Sequence, residues 1–412
     1  MNRRSFLKTL SASLALTATA SPFAFAAMPR MKITRVRAYL PPNPNPLFNQ
    51  SDVVVTIETN AGITGVGEGG SKDTLSQSAG RLIGRDPQHI EQLWQDMNRS
   101  FFYPAGREKE DGIGALDLAL WDIRGKVLKL PVHALLGGMV RNYCELYNTA
   151  GKIPGITATT PVKERAQATM AAGYKCFRFG AVDSPANGVF DTRERINHMA
   201  EQCQQARDGV GQDGNWCIDF HQRFDLPDAV RGIRAITPLA PFFVEDPVRT
   251  EYFQQDLPTI RQKVDVPIAA GEEWGNRWDF NTLVEHHDID FLRATLPNVG
   301  GITEMVKIMA LCETHSVGIV PHFTGPIATA ALVNTLGTYS GPVLMEYNYQ
   351  GAELKHLPQC LDFKNGKLYP NDRPGLGVEL DPKYLTQIME VTQPVTARAQ
   401  TYFRTDGSIT NW

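Results

Sequence analysis

A chain of 412 residues that is 42% hydrophobic and 21% charged, with 35 Gly and 27 Pro, has the make-up of a globular protein and excludes the disordered and fibrous classes. Its formal charge of −3 excludes a basic nucleic-acid footprint. Six Cys, at positions 144, 176, 203, 217, 312 and 360, form neither a CxxC pair nor a Cys/His ligand spacing, which excludes the usual zinc and thioredoxin-type signatures and leaves any pairing open.

The first segment, Met1 to Ala27, reads as a leader. Asn2-Arg3-Arg4-Ser5-Phe6-Leu7-Lys8, an Ala- and Leu-rich run and Ala24-Phe25-Ala26 before Ala27 have the form of a twin-arginine export signal with a small-residue cleavage site. Ser, Thr and Pro22 interrupt the run before the roughly 20 apolar residues of a membrane span. Cleavage removes three basic residues and no acidic one, which takes the formal charge from −3 to −6, and the expected compartment is the periplasm. No membrane or nucleic-acid partner is expected of the mature chain.

From Met31 to Tyr39 the residues alternate as a strand, and Asp52 to Glu58 is a β-branched run closed by Asn60-Ala61-Gly62, so a small β-meander is predicted. The prolines of Pro41-Pro42-Asn43-Pro44-Asn45-Pro46 keep the intervening loop out of a sheet interior. Between Asp86 and Leu135 the pattern turns helical, with Ile113, Leu116, Leu120 and Ile123 on one face. Residues 28–142 are therefore expected to form an α+β domain.

After Asn142 eight short apolar runs alternate with helical patterns: Cys144–Ala150, Cys176–Gly180, Trp216–Phe220, Phe242–Glu245, Pro267–Ala270, Phe291–Ala294, Gly318–Pro321 and Val343–Glu346. Their starts lie roughly 25 to 40 residues apart, the length of a strand with its crossover helix, which implies a parallel sheet. Eight such units point to an α/β fold of the (β/α)8-barrel type over residues 143–362. An open doubly wound sheet is the alternative, but no Gly-rich phosphate loop follows an early strand. The loop-rich tail, residues 363–412, is expected to return to the first domain.

In a parallel barrel the functional groups project from the C-terminal strand ends. Asp219, Glu245 and Glu272 stand there on consecutive strands, 26 and 27 residues apart. Three acids converging on one axis repel one another unless a cation joins them, so they are read as ligands of a divalent ion; oxygen ligands without Cys or His favour Mg2+ over Zn2+. Taken singly, each is better read as a helix cap or surface ion pair. His221 follows Asp219 by two, the same face of an extended strand, and His322 ends the seventh strand on the other side of the mouth. Both are candidate catalytic residues, against the ordinary reading of a strand-end His as structural. Arg178 on the second strand and Glu346 on the eighth are open between buried ion-pair partners and substrate contacts, whereas His89, His133, His198, His286, His287, His315 and His356 are read as structural. A cation between two imidazoles suits removal of a proton alpha to a carboxylate, where a Lewis acid stabilises the enediolate and His residues act near ambient pH.

The arrangement resembles the enolase superfamily over essentially the whole mature chain, and within it the mannonate dehydratase group and related sugar-acid dehydratases. The resemblance rests on Gly114-Ala115-Leu116-Asp117-Leu118-Ala119-Leu120-Trp121-Asp122-Ile123, Asp219-Phe220-His221, Val244-Glu245-Asp246-Pro247, Gly271-Glu272, Gly300-Gly301-Ile302-Thr303 and Pro374-Gly375-Leu376-Gly377-Val378. The ending Asp406-Gly407-Ser408-Ile409-Thr410-Asn411-Trp412 is similar as well. The resemblance implies an N-terminal capping domain completed by the tail, Mg2+ on Asp219, Glu245 and Glu272, His221 as general acid, His322 as the strand-seven base, Trp412 reaching the substrate, a sugar-acid substrate and a homo-oligomer. Two departures stand out. Thr295 occupies the place of the Asp that partners the strand-seven His, and the Arg of mannonate dehydratases, matched by Arg178, lacks its loop Tyr, since no Tyr lies between Phe179 and Trp216 and Phe190 stands near that place.

The reaction expected is Mg2+-dependent dehydration of an aldonate to a 2-keto-3-deoxy acid. Racemase, epimerase or cycloisomerase chemistry and a metal-bearing binding protein without turnover are the alternatives; the paired Lys of cycloisomerases has only Lys175 and Arg178 nearby. The loops Asn43–Gln50 and Phe101–Gly112, with Phe102, Tyr103 and Arg107, are expected to close over the mouth.

Overall fold

Period-two patterning at the start of the chain produces three antiparallel strands, β1 (Ile33–Leu40), β2 (Val54–Thr59) and β3 (Thr64–Glu68), in a computed structural model that describes residues 30–45, 50–100, 103, 106–149, 153–180, 188–249, 254–395 and 401–410. The Met1–Ala27 leader, Phe102 and Trp412 lie outside the described residues. Helices α1 (Lys72–Ala79), α2 (Ile90–Arg99), α3 (Arg107–Leu128) and the single turn α4 (Val132–Leu135) follow. The stripe of Ile113, Leu116, Leu120 and Ile123 on α3 is fully buried and shares a core with Ile33, Val36, Ile57 and Trp94. Close packing of α3 on β3 requires glycine at 65 and 67, where a Cβ would overlap the carbonyl oxygens of Ala119 and Ala115.

The eight expected barrel strands all form: β4 (Cys144–Asn148), β5 (Cys176–Gly180), β6 (Asn215–Asp219), β7 (Val244–Glu245), β8 (Ile268–Ala270), β9 (Phe291–Leu292), β10 (Gly318–Ile319) and β11 (Met345–Tyr347). Helices α5 (Val162–Ala171), α6 (Thr192–Val210), α7 (Leu226–Ile236), α8 (Leu257–Arg261), α9 (Arg277–Glu285), α10 (Ile302–Thr314) and α11 (Pro326–Leu336) connect them. Every neighbouring pair from β4 to β10 is parallel, and β11 pairs in parallel with β4. A parallel bridge between Ile319 and Val343, with Leu344 N donating to the Ile319 carbonyl at 3.3 Å, closes the ring. β10 is shorter than its apolar run because Pro321, which lacks an N–H, closes that run. Tyr147, Cys176, Cys217, Phe243, Ala269 and Val320 fill the interior below the mouth, and all six Cys are buried free thiols.

The tail runs back across both layers. Strands β12 (Asp362–Lys364) and β13 (Lys367–Tyr369) make a hairpin that pairs antiparallel with β4, β14 (Thr386–Val391) pairs with the outer edge of β1, and β15 (Tyr402–Phe403) pairs with β16 (Ile409–Thr410). Buried polar groups stitch the first layer to the barrel. Asp117 on α3 accepts from the backbone and hydroxyl of Thr303 at the start of α10, the Trp94 indole donates to the Gly300 carbonyl at 2.8 Å, and Glu68 on β3 accepts from Ala328 N of α11 at 2.8 Å. Among the described residues no helix is long and apolar enough to cross a membrane.

Candidate active site

The C-terminal ends of the barrel strands gather five carboxylates, Asp219, Glu245, Asp246, Glu272 and Glu346, around two guanidiniums, Arg178 and Arg293. Arg178, from β5, pairs with Asp219 and reaches Glu245 at 3.2 Å. Arg293, just past β9, is wholly buried and lies 2.6 Å from Glu245, 3.2 Å from Glu272 and 3.1 Å from Glu346. Arg178 and Glu346 are thus buried ion-pair members, one of the two readings left open by the sequence. Glu346 also accepts from the Tyr147 hydroxyl at 3.2 Å and from Phe323 N at 3.0 Å, which ties it to the loop carrying His322.

The electrostatics follow from this packing. Burial pushes Asp219 up, but Arg178 and His221 beside it more than compensate, and its carboxyl lies below the ordinary range. Burial outweighs Arg178 and Arg293 at Glu245, which is pushed up to about 8. Glu346 is lowered because Arg178, Arg293 and His322 overcome its burial, whereas Asp246, buried and facing Glu272, Glu245 and Asp219, is raised well above the usual carboxylate range.

His221 stands beside Asp219 by a route other than the expected one. β6 ends at Asp219, and His221 (φ 47) and Gln222 (φ 59) turn left-handed; the imidazole folds back so that Nε2 lies 2.6 Å from Asp219 Oδ2. His322 is buried across the mouth, its Nε2 3.7 Å from Glu272 Oε2 and its ring 4.4 Å from that of Phe323. Its Nδ1 has no hydrogen-bond partner among the described residues, and Thr295, which holds the place of a partnering Asp, donates to the Glu272 carbonyl at 3.1 Å. Arg107 reaches the mouth, donating to the Glu273 carbonyl at 3.1 Å, and Tyr103 is exposed. A cleft of about 550 Å³ lined by Phe190, Gln222, Phe224 and Arg249 opens at the turn beyond His221.

Of the three expected metal ligands, two come together with a third acid that sequence reasoning passed over. Oxygens of Glu245, Asp246 and Glu272 lie within 4.8 Å of one another, while Asp219 stands outside this group, held by Arg178 and His221. Asp246 was in plain view beside Glu245. Strand alternation assigns it to the opposite face, and only its left-handed backbone (φ 38) turns it inward. The donor set fits a hard divalent cation: the ligands are all oxygens, five carboxylates face two guanidiniums, and both buried Asp246 oxygens are unpartnered among the described residues.

Comparison with known proteins places this geometry. Residues 45–137 match the N-terminal domain of mandelate racemase / muconate lactonizing enzyme, and residues 161–384 match the enolase C-terminal domain-like family. A D-galactonate dehydratase of Xanthomonas oryzae pv. oryzae is 34% identical over 403 residues, 93% of this chain and 100% of the relative; one of Cronobacter sakazakii is 33% identical over 400 residues, again 93% and 100%. Among solved structures, an enolase superfamily member from Salmonella Typhimurium superposes with a TM-score of 0.80 at 26% identity, covering 88% of this chain and 100% of that one. An enolase from Pantoea ananatis, solved with bound D-gluconate and magnesium, has a TM-score of 0.76 at 27% identity, covering 86% and 94%. The periplasmic placement does not stand: these matches give no evidence of export, and the twin-arginine-like segment behind that expectation lies outside the described residues.

Proposed function

The chain belongs to the mandelate racemase / muconate lactonizing enzyme family of the enolase superfamily and is a sugar-acid dehydratase; from that premise we propose a Mg2+-dependent conversion of an aldonate to a 2-keto-3-deoxy acid. His322 takes the proton alpha to the carboxylate, His221 protonates the departing 3-hydroxyl, water leaves and the enol becomes the ketone. Asp219, Glu245 and Glu272 are the residues that would hold Mg2+, which would supply Lewis-acid stabilisation of the charge that develops on the substrate carboxylate. Arg178 and Glu346 act through the ion pairs that position the acids, Trp412 reaches the substrate, and the protein works as a homo-oligomer.

The observation that carries this reading is the opposed placing of the imidazoles, His221 against Asp219 at 2.6 Å on one side of the acids and His322 against Glu272 at 3.7 Å on the other. An acid and a base on opposite sides of one carboxylate site are what proton removal and hydroxide loss require. Arg178, locked between Asp219 and Glu245, is a poor substitute for the strand-two Lys base of racemases and cycloisomerases.

Incubation of the protein with D-galactonate, D-gluconate and a panel of other aldonates in MgCl2 tests the proposal. Accumulation of a 2-keto acid is the expected result. Metal binding without keto product from any acid overturns it, and deuterium exchange without water loss selects racemase chemistry instead.

A further inference from the structure

We infer that Glu68, at the end of β3 in the first domain, is a positioning residue for His322, so that the base is aimed only while the two domains are docked; this rests on the reading of His322 as the base. β10 ends at Ile319 and α11 begins at Pro326, which leaves His322 in neither a strand nor a helix. Its place is set by what grips the residues that follow. Glu346 accepts from Phe323 N at 3.0 Å, the Tyr349 hydroxyl donates to the Thr324 carbonyl at 2.6 Å, and Glu68 accepts from Ala328 N at 2.8 Å. Two of these grips belong to the barrel itself, and the third comes from the other domain.

The sequence around 325 is shaped to this contact. Gly325 has φ −58, a conformation open to any side chain, yet a Cβ there would lie 2.1 to 2.4 Å from the carboxylate atoms of Glu68. Glycine is needed at 325 for the close approach and not for the turn. α11 opens on Gly325-Pro326, which brings no capping side chain, so a carboxylate from β3 serves the free N–H groups of its first turn instead. Glu68 is 1% exposed, and burial pushes its carboxyl well above the usual range, a penalty that an apolar contact between the domains would avoid. What the acid adds is a fixed start for α11 and, through Gly325, a fixed path back to His322.

Crystal structures of the substrate-free full chain carrying Glu68→Ala or Glu68→Gln, with steady-state kinetics on the aldonate panel, test the assignment. Glu68→Ala is expected to shift the His322 imidazole by about 1 Å and to lower kcat by ~10- to 100-fold with KM changed only a few-fold. Glu68→Gln, which keeps an acceptor for Ala328 N, is expected to restore most of the rate and the imidazole position. A purely structural role lowers the melting temperature of Glu68→Ala but moves neither the imidazole nor kcat below that temperature. An unmoved imidazole therefore overturns the assignment whatever the rate, and so does a displaced one in an enzyme of full kcat. A displaced imidazole in a protein that dehydrates no aldonate supports the positioning and overturns the dehydratase chemistry alone. Should Glu68→Ala not fold, Glu68→Asp decides by the same outcomes, since it keeps the acid and withdraws it by one methylene from Ala328 N.

Discussion

Arg293 holds more of the barrel mouth together than any residue singled out from the sequence. Its guanidinium lies among Glu245, Glu272 and Glu346 with no exposure, so removing it leaves three acids facing one another, two of them, Glu245 and Glu346, out of reach of water. Loss of one member of a buried charge network costs about 3–5 kcal/mol. Arg293→Met is expected to lose that much in urea unfolding of the metal-free protein and to regain part of it in MgCl2, because a divalent ion replaces the missing positive charge. Full stability without metal would show the acids to be neutral already. The histidines are tested separately. His322→Asn and His221→Asn should each lower kcat by ~10²–10⁴ with KM changed only a few-fold, the signature of proton transfer rather than binding. Unchanged kcat in His322→Asn removes it from the mechanism, a sharp question because Thr295 supplies no carboxylate to its Nδ1.

Elements were legible where burial imposed a period, and obscure where conformation overrode it. Eight apolar runs at strand-plus-helix spacing became eight strands because both faces of a barrel wall are buried, which makes each strand a continuous apolar run rather than an alternating one. The acids and His322 were readable for the same reason, since each lies at or within two residues of the end of such a run. Helix α1 was missed: its only buried apolar side chains are Leu75 and Ala79, and its start is set by the capping box of Ser71 and Thr74. Asp246 and His221 defeated the reading because left-handed turns redirect them, and no alternation rule anticipates that. Arg293 was passed over because its importance lies in partners from three other strands. The same conformational logic explains Pro374-Gly375-Leu376-Gly377. Gly375 has φ 75, and a Cβ there would overlap the Asp122 carboxylate, which accepts from Val66 N and Leu376 N at 2.9 Å each and so joins β3, α3 and the tail. Gly375→Ala combines an αL penalty with a clash at a buried acid and is expected to cost about 2–4 kcal/mol, read as a lowered midpoint of chemical unfolding.

Across the whole molecule, the α+β layer and the barrel meet through acids that water cannot reach, and this makes their union dependent on pH. Asp117 lies fully buried between α3 and α10, and Asp111, one helical face away on α3, is buried beside Gly70. Burial pushes each up to about 7 from an ordinary 3.8, despite the hydrogen bonds from Thr303 to Asp117 and from Gly70 to Asp111. Between pH 3.8 and 7 the folded chain keeps protons that the unfolded chain has released, so folding binds protons and stability falls as pH rises, levelling off above about 7. Thermal melts should be recorded in saturating MgCl2, where the barrel-mouth acids are committed to the cation and contribute little to the slope. The melting temperature is then expected to decline from about pH 5 to about pH 7.5. Asp117→Asn, which retains an oxygen for Thr303 and cannot ionise, should flatten that decline by on the order of 1–2 kcal/mol and leave the acid end nearly unchanged. An identical slope in Asp117→Asn would mean that the seam stays ionised and that its hydrogen bonds carry the charge unaided.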